Sequence, residues 1–469
     1  MSATPRTAIP STAIPNTSDR IERAPEEIFA QVKDREVALS RMVMTYIGTG
    51  LAFMLLPGTF LGVWNLISIS GRRAAESVSP SWIQAHGHAQ VFGWIGTFIL
   101  GIGFYSIPKM RRTTPFAMVT PWTCWVMWTS GVLMRWAVSV YDWHWRAMLP
   151  ISAALELVAF LIFFRVVATH KPAPANNAAV IPRPKFERWI FVVIAGTSGL
   201  LATLAANLGG TIWLAVRGTS PAFTPGFDQR FLVLMAWGFM VPFVWGFSAR
   251  WLSTFIGAPK PCDRGLAVIL ILNTLGVGAA QFGIFKAAVV LLAGGAVMSN
   301  FALRLVFRPV QAAKTKGVHV SFPYFVRLAY AWLVIAALLG VWAAFAKEPV
   351  GIWGASRHAL TVGFVSTMVF AIGQRVLPAF SGMRLLFSTK LMFAALALLT
   401  MGCTLRVSSE VLAYQGYVAS AWRWLLVSAV TELAAVTLFA VNMVATFCTK
   451  PPALQAVRQT PEAGLVTLK

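Results

Sequence analysis

Twelve long apolar runs, joined by short polar loops, leave this chain few folds to choose from. They lie near 41–68, 82–107, 117–138, 147–167, 188–216, 229–252, 265–283, 285–307, 323–346, 358–380, 387–408 and 422–447. Inside a lipid bilayer each backbone polar group needs a partner within the protein, so apolar runs of about twenty residues read as spanning helices. Composition agrees. Apolar residues make up 57% of the chain and charged residues only 12%, against roughly 25% charged in a soluble domain. Nineteen Trp and 33 Phe suit interfacial aromatic belts. The formal net charge of +23 does not point to nucleic acid, because the basic residues sit in short loops between apolar runs. The expectation is an all-α integral membrane protein with twelve transmembrane helices.

Three regions follow. Residues 1–37 are polar, lack the apolar core of a signal peptide, and read as a cytoplasmic tail that is disordered or lies along the surface. Residues 38–449 form the membrane domain, and 450–469 a second cytoplasmic tail. Lys and Arg concentrate in loops such as Lys109–Arg112 and Arg304–Lys316. That bias places both termini inside a bacterial cytoplasmic membrane. Cys124, Cys262, Cys403 and Cys448 are scattered, with no CxxC pair, so neither a thiolate metal site nor a disulfide framework is expected.

The runs repeat. Shifted by 270 residues, His88, Ala89, Gly93, Thr97, Ile102, Gly103 and Pro108 face His358, Ala359, Gly363, Thr367, Ile372, Gly373 and Pro378. Shifted by 125, Gly238, Phe239, Val244, Arg250, Leu252, Phe255 and Gly257 of the sixth run face Gly363, Phe364, Val369, Arg375, Leu377, Phe380 and Gly382 of the tenth. Leu149, Ser152, Ala153, Glu156 and Leu157 of the fourth run correspond to Leu425, Ser428, Ala429, Glu432 and Leu433 of the twelfth. The simplest reading is three four-helix units in a pseudo-threefold bundle.

Within this scheme His86, His88 and His358 stand near the outer ends of the second and tenth spans. Imidazoles there are costly unless solvated, paired or bound to a metal. An isolated histidine near a helix end is usually an interfacial residue; recurrence in register favours a ligand role for His358 and for one of His86 and His88. Two imidazoles on facing helices are what a six-coordinate haem iron needs. His86 and His88 are two residues apart, about 200° around a regular helix, so both cannot meet one iron. Three imidazoles holding copper or zinc are the alternative. The sixth span has Val233 where the tenth has His358, so the third unit contributes no imidazole. Glu156 and Glu432 are carboxylates within spans, candidates for a proton or ion relay, or else structural partners of Arg135 and Arg406. His144 reads as a belt residue, and His170 and His319 as loop residues without a role.

The stretch His86-Gly-His88-Ala-Gln-Val-Phe92-Gly93, together with Arg357-His358-Ala-Leu-Thr-Val-Gly363, resembles the HxHxxxFG and HALTVG motifs of NnrS-type membrane proteins. Ala89 stands where that family usually has an acidic residue, and the first span begins SRMVMTYIGTG at Ser40. A more distant resemblance is to subunit I of haem–copper oxidases and nitric oxide reductases. His86-Gly87 is similar to the start of their second helix, and His358 to Pro378-Ala-Phe-Ser-Gly382 is similar to their tenth. Their copper histidines on helices six and seven have no counterpart here, and Ser356 stands at the high-spin haem position. The resemblance implies a b-type haem held at one low-spin site by His358 and either His86 or His88, with copper as a possible companion. It also implies a part in the response to nitric oxide or relief of nitrosative stress, with no dinuclear reductase centre. Two other classes stay open: a redox protein passing electrons to or from a quinone or cytochrome, and a transporter without haem.

Overall fold

The computed structural model describes residues 17–111, 113, 116–169 and 187–450, and every element among them is a helix. Eleven of these helices are long and apolar enough to cross a membrane. They are α1 (Ala30–Arg72), α2 (Pro80–Arg111), α4 (Trp145–Thr169), α5 (Trp189–Arg217), α6 (Pro225–Ile256), α7 (Asp263–Gln281), α8 (Phe285–Ala302), α9 (Phe322–Phe345), α10 (Val350–Phe380), α11 (Thr389–Tyr414) and α12 (Ala421–Cys448). The molecule is a multi-pass membrane protein. The span expected near 117–138 is also helical, α3 (Val119–Tyr141). It falls short in hydropathy because it carries Trp122, Trp125, Trp128, Trp136 and Arg135. Consecutive helices pack side by side, and α12 returns against α1 to close the bundle.

The expectation of a polar tail through residue 37 needs correction. From Thr17 the chain is already helical, continuous with the first span. Residues 1–16 and 451–469 lie outside the described residues, as does His170. A second difference concerns depth. The tenth apolar run begins at His358, but α10 begins at Val350, and VGIWGASR continues the same helix. His358 therefore sits about two turns inside the helix, and His86 likewise lies within α2. Hydropathy marks where lipid begins; it does not mark where a helix begins.

Helices α2, α6 and α10 each carry a π-helical segment. These are Ala89–Gly96, Leu234–Met240 and Ala359–Ser366. The segments fall at the positions that the 270- and 125-residue shifts superimpose. Each begins directly after His88, Val233 or His358. A π turn bonds i to i+5 and is rare except as a bulge, frequently at functional sites. The side chains follow the same spacing: Thr97 Oγ1 donates to Phe92 O and Thr367 Oγ1 to Val362 O, each five residues back. A fourth π segment, Met54–Phe60 of α1, contains Pro57, whose missing N–H removes one ordinary helix bond.

Where α5 crosses α6, a Cβ on Gly199 would collide with the carbonyl of Gly238 inside the π segment. That crossing is closed by backbone contact, as small-residue packing in membranes allows. Gly199→Ala should lower the Tm in detergent by several degrees, because neither backbone can yield. Gly209→Ala on the same helix, where a Cβ meets nothing, should be neutral or stabilising, since Ala is the better helix former by about 1 kcal/mol.

Candidate haem-ligand site

The three histidines of the sequence reading do not share one environment. His88 is buried and donates from Nε2 to Glu156 Oε1 at 2.8 Å, with Glu156 fully buried on α4. Its ring also stacks near Phe92, with centroids 4.5 Å apart. That imidazole is a partner for a carboxylate. Glu156→Leu would leave His88 buried and unpaired, and removing one member of such a pair costs about 3–5 kcal/mol. A clear drop in Tm is expected, with Glu156→Gln intermediate.

His86 turns the other way, toward α1. Its Nδ1 lies 2.9 Å from Gly58 O. A carbonyl can only accept, so Nδ1 carries the proton and Nε2 holds the lone pair. The ring rests on Gly62, where any Cβ would stand 2.6 Å from Cε1. Gln90 ties the same two helices together by donating to Thr59 Oγ1 at 2.9 Å. The π segment of α1 thus presents both the carbonyl that orients His86 and the glycine that admits it.

His358 repeats the arrangement on α10. Nδ1 lies 2.9 Å from Gly354 O, one turn earlier, so its Nε2 also holds the lone pair. Glu410 Oε2 approaches the same Nδ1 at 3.3 Å and Arg406 Nε at 3.5 Å, without a well-directed hydrogen bond to either. Its carboxylate lies over Gly354, where a Cβ would collide with it. The His358 side chain is 27% exposed. His86 keeps accessible surface and lies within electrostatic reach of His358 and Arg406. Below them, Trp94 of α2 meets Phe370 of α10 edge-on, with centroids 6.0 Å apart. Helices α2 and α10 therefore face each other directly beneath the two imidazoles.

Among the described residues, no three His, Cys, Asp or Glu side chains converge as a metal-ion site. The three-imidazole arrangement is thus not formed. Glu432 keeps a buried, unpartnered Oε1, with its Cγ against Gly402. Neither Glu156 nor Glu432 forms an ion pair with Arg135 or Arg406; Arg406 pairs with Glu410 instead. His144 is exposed beside Trp143 and His319 bonds Ser321 Oγ, both in loops. All four cysteines are unpaired.

Glu410, Gly58 and Gly62 were missed in the sequence. The apolar run of the eleventh span stops near 408, so Glu410 fell beyond it, yet α11 continues to Tyr414. Its four-residue spacing from Arg406 was the available signal.

The NnrS protein family model matches residues 46–450. The chain belongs to the NnrS family. No curated protein matches it significantly in sequence. Among solved structures, this NnrS-family protein is similar to a haem–copper terminal oxidase determined by cryo-EM as a dimer. The TM-score is 0.52 at 14% identity, over 88% of this chain and 84% of the oxidase chain. At that identity the likeness is one of fold.

Proposed function

We propose that this NnrS-family protein holds one haem b between α2 and α10, with His86 and His358 as axial ligands and His88 excluded. The observation that carries this reading is the pair of Nδ1–carbonyl bonds at 2.9 Å. Metal-bound histidines characteristically spend the second ring nitrogen in this way, which fixes the tautomer and orients the ring. The donor set fits: two neutral imidazoles on opposed helices, both with accessible surface inside an apolar bundle. A haem held there supplies a one-electron redox centre. Gly58 and Gly354 aim the two Nε2 lone pairs, Gly62 makes room for one ring, and Glu410 sets a negative charge behind the other. That charge strengthens His358 as a donor and stabilises the ferric state.

The same reading takes the bundle as twelve spans in three units with both termini cytoplasmic, α3 included. The π segments in register on α2, α6 and α10 support the threefold repeat. Because Val233 occupies the third register position, the unit formed by α5–α8 adds no ligand. The reading therefore needs no copper and no dinuclear centre. Family membership and the oxidase-like fold support a role in the response to nitric oxide, with a quinone or cytochrome as electron partner if the haem turns over.

The test is an absorption spectrum of the detergent-purified protein, oxidised and dithionite-reduced, with metal analysis on the same sample. A sharp reduced α-band with about one iron per chain is expected for a bis-imidazole haem. A colourless, iron-free protein after expression with ample haem would end this reading.

A further inference from the structure

The register that relates α2 to α10 also relates α3 to α11. Shifted by 271 residues, Thr129, Gly131, Arg135 and Val140 face Thr400, Gly402, Arg406 and Val411. The contacts follow. A Cβ on Gly131 would lie 2.9 Å from Glu156 Cγ, and one on Gly402 2.7 Å from Glu432 Cγ. Thr129 and Thr400 both bond back to the carbonyl four residues earlier.

The two arginines differ in one respect. Arg406 has an internal anion, Glu410, one turn further along. The residue that faces Glu410 on α3 is Ser139. Arg135 is only 2% exposed, and its Nε and Nη1 are buried without a hydrogen-bond partner. Ser139 Oγ, 1% exposed, is equally unpartnered. Glu156 and Asp228 lie within electrostatic reach of Arg135 but form no ion pair with it, and Glu156 Oε1 is spent on His88. The guanidinium contacts the Phe223 ring at 4.9 Å. Gln84 clamps Phe223 there by bonding both its N and its O. A guanidinium stays charged in proteins, and a buried charge is paired or costly. The fold has built a cation and left its counter-charge out.

We propose that Arg135 and Ser139 bind one small carboxylate or oxyanion, in the place that Glu410 takes beside Arg406. The guanidinium fork donates from Nε and Nη1, as it does to planar anions generally, and Ser139 adds an O–H. The anion has two sources. A porphyrin propionate rests on the haem reading above; a free anion such as nitrite or formate does not.

The experiment uses the full-length protein as purified in detergent, the variant Ser139→Glu, and Arg135→Gln. Sodium nitrite and sodium formate are titrated against choline chloride at equal ionic strength while Tm is followed. With a free anion as occupant, wild-type Tm rises with the logarithm of concentration. Ser139→Glu, which carries its own anion, starts at or above the wild-type Tm and does not respond; Arg135→Gln does not respond either. With a propionate as occupant, no chain responds, and Ser139→Glu folds but binds haem at least about tenfold more weakly than wild type. A haem-free wild type that responds to nitrite keeps the site and discards the haem. A wild type without anion response whose Ser139→Glu variant binds haem unchanged overturns the proposal. So does a haem-free wild type without anion response, or a Ser139→Glu chain that does not fold, because the register then lacks room for a carboxylate.

Discussion

Replacing His86 or His358 with Ala should strip haem from the purified protein, while His88→Ala should keep it. The three residues lie within one motif pair, so any account based on motif alone predicts three equivalent losses. The structure separates them by tautomer. His86 and His358 each spend Nδ1 on a carbonyl at 2.9 Å and present Nε2. His88 spends Nε2 on Glu156, and its ring is packed on Phe92. Pyridine-haemochrome content per chain measures the outcome, with size-exclusion profiles showing that each variant is folded. His86→Ala and His358→Ala should fall to background. His88→Ala should hold near-wild-type haem at reduced Tm, since a buried carboxylate loses its partner. Haem retained with an unshifted spectrum in His358→Ala would sink the ligand assignment.

Gly62→Val should lose haem nearly as completely as His86→Ala, although residue 62 carries no donor atom. A Cβ there stands 2.6 Å from His86 Cε1 and 2.8 Å from Nδ1. Helix backbone fixes that Cβ, so the imidazole is the part that moves, and moving it breaks the bond to Gly58 O. Loss of the second-shell partner of a metal-bound histidine lowers affinity by about 10–100-fold. The branched side chain adds steric displacement to that loss. Gly71→Val on the same helix meets nothing within 4 Å and serves as the control. Equal haem in the two variants would show that the α1–His86 contact has no bearing on the site.

Much of the fold was legible because lipid imposes a strict rule on sequence. Each run of apolar residues had to be a helix, and the runs appear as such, with α3 weakest because tryptophans and Arg135 dilute it. The chain ends were less legible. Nothing in the polar composition of residues 17–37 excludes helix; they propagate one already nucleated by the first span. Helix starts at Pro80 and Val350 were hidden for the same reason, which pushed His86 and His358 deeper than hydropathy suggested.

The sequence by itself determined that the chain crosses a membrane many times, and that α2, α6 and α10 share one register. It also determined that only two of those three helices bring histidine to it. It could not choose between His86 and His88, because that choice depends on what each ring nitrogen touches. Gly58 O is 28 residues from His86, Glu156 is 68 from His88, and Glu410 is 52 from His358. Hydrogen bonds at such separations are set by how helices pack, and a hydropathy pattern records only which residues face lipid. The same holds for Arg135. Its charge was plain in the sequence, but only the packed bundle showed that no anion in the chain reaches it.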